Sequence, residues 1–160
     1  MPVRQLVFAV CAALACLMGF ASAGASAEEI RTATAKASFD DVKFELTNAI
    51  VNRGLVIDAT GRLGDMLVRT GKDVRSEKPI YKHAEYVTFC SSKLSRRMME
   101  ADPANIAFCP YVIFIYEPVA TPGEIVVGYR APFMRGDTPS KAALVEIDAL
   151  LGAIIKEAVK

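Results

Sequence analysis

Tryptophan is absent from the 160-residue chain, and histidine occurs once, as His83. That single histidine sits at a polar strand start with no evident partner, so no Ser-His-Asp or Cys-His-Asn set can be assembled. Gly61, Gly64 and Gly71 do not make a phosphate cradle: they lack the Gly-x-Gly-x-x-Gly spacing, and no Gly-Lys-Ser/Thr follows them. No Cys-x-x-Cys occurs, so no motif lowers a thiol pKa, and no Cys-x-x-Cys-His offers covalent haem attachment. There is also no charge surplus. The formal net charge is +1, which gives no argument for nucleic acid or an anionic membrane surface as a partner.

Apolar residues are plentiful, at 52% of the chain. Part of them form a leader. Arg4, the uncharged run Leu6 to Phe20, and small residues at Ala21-Ser22-Ala23 and Ala25-Ser26-Ala27 read as a secretory signal over residues 1–27, with cleavage after Ala27. The run is short for a span of roughly 20 residues, so stable membrane insertion after cleavage is not expected. Export implies a periplasmic or secreted location. Losing the leader removes Cys11 and Cys16 and leaves Cys90 and Cys109 in an oxidising compartment. It also removes Arg4, so basic and acidic residues balance at 18 each.

Residues 28–160 fit one domain. Arg31 to Ala37 alternates and reads as a strand. Ser38 is placed as an N-cap, with Asp40 and Asp41 at the positive helix end and Val42, Leu46, Ala49 and Ile50 on one face; Gly54 is the stop. Leu55 to Ile57 is a short strand. Leu63, Met66 and Leu67 suggest one face of a short helix, on which Asp65 and Arg69 are spaced to pair, for a few tenths of a kcal/mol. Ile80 to Cys90 is a strand, with Tyr86, Thr88 and Cys90 on one side and Val87 and Phe89 on the other. Ser91 or Ser92 caps a helix lined by Leu94, Met98 and Ala101, ended by Asp102-Pro103. Tyr111 to Glu117 is nearly continuously apolar, as befits a central strand covered on both faces, or on one face with a partner on the other. Glu124 to Ala131 pairs with it as an antiparallel hairpin. Thr138 and Pro139 open a final helix as N-cap and N1, with Leu144, Ile147, Leu151, Ile154 and Ala158 as its stripe. The fold class is α+β, with an antiparallel or mixed sheet of about five strands and helices mainly on one face.

The segments Phe89-Cys90, Leu94-Ser95, Met98-Met99, Asp102-Pro103, Cys109-Pro110-Tyr111 and Tyr116-Glu117 together resemble the domain of unknown function 302 family, in its secreted two-cysteine proteobacterial branch. Gly64 to Asp73 and Tyr129-Arg130 agree with that branch, and the resemblance spans about residues 35–133. It implies a compact α+β domain that tends to dimerise. It implies no activity and no catalytic residues.

Cys90 and Cys109 read first as a disulfide, closing a loop of about 20 residues and contributing roughly 3 kcal/mol. The alternative is a redox or sulfur-transfer pair. His83, Cys90, Met98 and Cys109 are weak candidates as soft ligands for copper or a haem iron; no cofactor is expected. Tyr86, Met98, Met99, Tyr111, Tyr116 and Glu117 could line a ligand groove, the bland alternative being sheet-face residues with wet hydroxyls. Arg96-Arg97 is a possible anion site or a solvated helix face, and Glu85 with Glu117 a possible carboxylate pair. The expected function is a non-enzymatic domain binding a small molecule or a periplasmic protein on a disulfide-stiffened scaffold, as a homodimer. Thiol-redox chemistry and copper or haem binding are the alternatives.

Overall fold

The computed structural model describes residues 29–160; the expected leader lies outside them. The strands are β1 (Ile30–Lys36), β2 (Val56–Gly61), β3 (Tyr81–Cys90), β4 (Tyr111–Pro118) and β5 (Glu124–Arg130). The helices are α1 (Phe39–Val51), α2 (Leu63–Thr70), α3 (Ser92–Ala101) and α4 (Thr138–Ala158), with a 3-10 helix over Pro103–Phe108. The five strands form one sheet in the order β1-β5-β4-β3-β2, antiparallel throughout. The α+β reading therefore holds, in its antiparallel form. No helix among the described residues is long and apolar enough to cross a membrane.

Strand alternation divides the sheet into two unlike faces. Val87, Phe89, Ile113, Ile115, Ile125, Val127 and Tyr129 point inward and are buried under α1, α3 and α4. From the helices come Val42, Leu46, Ala49 and Ile50, and Leu144, Ile147, Leu151, Ile154 and Ala158, all buried. These are the two stripes that helical periodicity picks out. Each fully buried aliphatic side chain contributes about 1.5–3 kcal/mol. Ion pairs fix how the helices cross: Arg53 holds Glu157 at 2.7 Å between α1 and α4, and Arg97 grips Glu146 at 2.6 and 2.8 Å between α3 and α4.

Three local expectations need correction. The N-cap of α4 is Asp137, which accepts the Ser140 amide at 3.0 Å; Thr138 and Pro139 each sit one position further in. Asp65 pairs at 2.9 Å with Arg62, three residues before it, where a partner four residues on was expected. β2 runs on to Gly61, because β3 supplies its hydrogen bonds regardless of its polar sequence. The Ser38 cap forms as expected, accepting the Asp41 amide at 3.1 Å, and Ser91 caps α3.

Candidate ligand cleft and open sheet face

The outer face of the sheet carries Tyr86, Thr88, Val112, Phe114, Tyr116 and Gly128. α2 covers only one end of it, where Gly64 lies so close to Ala84 that an added Cβ would sit 3.2 Å from the Ala84 amide. Across the middle, register aligns Gly61, Tyr86, Phe114, Gly128 and Thr32 in one row. The two glycines make room for the rings. A Cβ at Gly61 would overlap the Tyr86 ring, and one at Gly128 would lie 2.5 Å from Phe114 Cζ. Both rings thus lie over the neighbouring strand, an arrangement in which aromatics cover strand glycines. Tyr116 stacks beside Phe114 at 6.0 Å and meets Tyr81 edge-on at 5.2 Å. Tyr86 in this row and Val112 beside it are 37% and 44% exposed, and Phe114 and Tyr116 are half-buried, so this face is an aromatic surface partly open to solvent.

At the α3 side of the sheet this surface deepens into a cleft of about 430 Å³. Its depth reaches the buried Tyr111, Ile147 and Leu151; Phe108, Pro110, Pro132 and Phe133 wall it; Ile30, Val112, Phe114 and Arg130 stand toward the sheet face. Five separate segments converge here. The 3-10 helix supplies one wall. Asp102 caps it by accepting the Ala104 amide at 2.9 Å, and Pro103 starts it. Asn105, fully buried, pins it by donating to the Met98 carbonyl and to Ser140 Oγ, both at 2.8 Å. Arg135 reaches across to Asp102 at 3.2 Å, and Phe108 meets Phe133 edge-on at 5.2 Å, joining the two walls.

The sulfur pair lies behind this wall. Cys90 ends β3, Cys109 precedes the cis Pro110 at the start of β4, and the two are bonded, with Cα atoms 6.5 Å apart. Cys109 packs on the core, with its Sγ 3.6 Å from Ser95 Oγ; Ser95 in turn shares a 3.2 Å hydrogen bond with the Tyr111 hydroxyl. Burial pushes the Tyr111 pKa up, against the opposing pull of that hydrogen bond.

The six residues expected to share a groove are divided. Tyr86 and Tyr116 stand on the outer face. Met98 is fully buried in the core and Met99 packs against it, while Tyr111 reaches the bottom of the cleft from the inner side. Glu117 lies at the other end of β4, buried, accepting the Gly123 amide at 2.9 Å and Lys82 Nζ at 3.1 Å, with His83 Nε2 at 3.9 Å. The Gly123 hydrogen bond leads in holding its carboxyl below the usual range; burial opposes this, and Lys82 and His83 assist. Glu85 has its own cation, Lys43 at 2.6 Å.

His83 stacks on Phe39 at 4.9 Å, at the opposite end of β3 from Cys90, so the residues considered for copper or haem are not brought together. Among the described residues no three His, Cys, Asp or Glu side chains are placed to hold a metal. Arg96 and Arg97 pair with Glu100 and Glu146. Phe108, Val112, Phe114 and Phe133 escaped sequence reading. The one signal was Phe133-Met134, two large apolar residues side by side in a loop and both more than 40% exposed.

The family model for the domain of unknown function DUF302 matches residues 30–158, and so takes in α4 as well as the motifs. A crystal structure of an uncharacterized conserved protein DUF302 from Bacillus stearothermophilus is similar, with a TM-score of 0.67 at 13% identity, over 82% of this chain and 98% of that one. At that identity the likeness is one of fold. No curated protein matches the sequence.

Proposed function

The chain belongs to the DUF302 family, a domain of unknown function, and from that premise we propose that it is an exported, non-enzymatic binding module for a planar apolar small molecule or an apolar segment of a periplasmic protein. The observation that carries the reading is the cleft at the sheet end, open onto a row of aromatic rings. Pockets for small ligands are concave and mostly apolar, with few polar groups to orient the guest. Here Arg130 is the one charged side chain in the lining. The Cys90–Cys109 bond ties the Phe108–Pro110 wall to β3, which fits a scaffold working in an oxidising compartment. A second copy over the rest of the open face would complete the homodimer, since contiguous apolar surface of this kind tends to be covered.

The test uses the mature, oxidised domain and the aromatic anionic dye anilinonaphthalene sulfonate. Dye fluorescence should rise on binding and fall several-fold in Phe133→Ser, while Phe44→Ser, on the exposed side of α1, should bind as the parent does. Equal loss in both variants, or no binding by the parent, would refute it. Mass spectrometry of the exported chain should show a start after the leader and no free thiol.

A further inference from the structure

We propose that a second groove, between α2 and residues 71–80, receives an extended acidic segment of a partner protein. The groove has a volume of about 530 Å³ and shares no lining residue with the cleft. Its apolar lining is unusually bare: Val68, Val74 and Ile80 are 78%, 67% and 57% exposed. Around these stand Arg69, Lys72 and Lys78.

Several basic residues elsewhere in the fold hold carboxylates at 2.6 to 3.1 Å, as Arg31, Lys43, Lys82 and Arg97 do. Among the described residues, the side chains of Arg69, Lys72 and Lys78 enter no ion pair or hydrogen bond, and these three stand together around one groove. Three cations against the single carboxylate of Glu77 in the lining leave the groove with a net positive rim beside exposed apolar side chains. Asp73 and Glu77 lie in the same stretch, so the surface suits carboxylates spaced along a chain better than the unbroken charge of a phosphate backbone.

The backbone points the same way. The Ser76 amide closes onto the Gly71 carbonyl at 2.9 Å, and Arg75 turns the chain with a positive φ of 54°. Beyond that turn, the Glu77 and Lys78 amides find no backbone acceptor among the described residues. An extended chain laid along them can accept those hydrogen bonds, place alternate side chains in the groove and present carboxylates to the rim. A lipid surface would leave the Glu77 and Lys78 amides without acceptors, whereas an extended chain supplies them.

The probe is a capped, fluorescently labelled octapeptide alternating Glu and Leu, followed by anisotropy on the mature oxidised domain. It should bind, weaken as salt is raised, and lose at least about ten-fold in affinity in Lys72→Glu/Lys78→Glu. Both lysines are exposed, so circular dichroism and the thermal midpoint should report an unchanged fold. Phe133→Ser should bind the peptide normally, which separates this site from the cleft. Equal binding of a Lys-Leu octapeptide, undiminished binding by the charge-reversed variant, or no binding by the parent would overturn the proposal. So would phosphatidylglycerol vesicles binding with the same dependence on Lys72 and Lys78 while the peptide does not.

Discussion

Replacing both half-cystines, as Cys90→Ala/Cys109→Ala, should cost about 3 kcal/mol of stability. The figure follows from the 19-residue separation between them, which sets the loop entropy removed from the unfolded chain. Folded-state losses should add little, since Ser95 keeps its hydrogen bond with Tyr111 when the sulfur goes. For a domain of this size the loss corresponds to a fall of about 10 °C in the thermal midpoint. Urea unfolding of the oxidised, the reduced and the doubly substituted protein measures it. The reduced and substituted forms should agree with each other and differ from the oxidised form. The perturbation should also reach the cleft, because Phe108 and Pro110 flank Cys109, so dye affinity should fall with stability. A difference under about 1 kcal/mol between oxidised and substituted protein would refute the staple reasoning.

Three further outcomes are expected. Asn105→Ala removes two buried hydrogen bonds and leaves the Ser140 hydroxyl without its donor, while the Met98 carbonyl keeps the Asp102 amide at 3.1 Å; it should cost about 1–2 kcal/mol in urea unfolding, with weakened dye binding through the loosened wall. Gly128→Ala places a methyl 2.7 Å from the Arg31 carbonyl and 2.5 Å from the Phe114 ring; the backbone cannot yield as a side chain can, so a loss of about 2 kcal/mol is expected, with a shifted Phe114 signal by NMR. Tyr129 donates to Asp148 at 2.8 Å; burial first, then that hydrogen bond and the Asp148 charge, push its pKa up to about 12. Because the folded pKa exceeds the ordinary value of 10.0, the stability Tyr129 confers is complete below pH 10.0 and is lost as pH rises toward about 12. Unfolding curves across that window should lose this alkaline decline in Tyr129→Phe.

Periodicity carried much of the fold. The stripe of α4 and the Val42 to Ile50 face of α1 announce themselves, because a helix must repeat its buried positions every three or four residues. Strand alternation separated Tyr86 from Val87 and sets Tyr111 and Tyr116 on opposite faces of β4, yet it could not say which of those faces the helices cover. The Pro103–Phe108 helix was illegible because a 3-10 turn this short has no hydrophobic period of its own; its order comes from Asp102 and Asn105. Asp137 and Thr138 are both competent caps, and only the Ser140 amide distinguishes them. The cleft was the least readable feature. Ile30, Phe108, Val112, Arg130 and Phe133 meet through strand register and loop placement, neither of which a local pattern encodes.

The most direct test of the binding account is an amide NMR titration of the oxidised domain, residues 28–160, with anilinonaphthalene sulfonate. Saturable shifts should concentrate at Phe108, Val112, Phe114, Ala131 and Phe133, leaving α1 and the β4–β5 turn unmoved. Shifts spread evenly over the surface, or centred away from those residues, would contradict it.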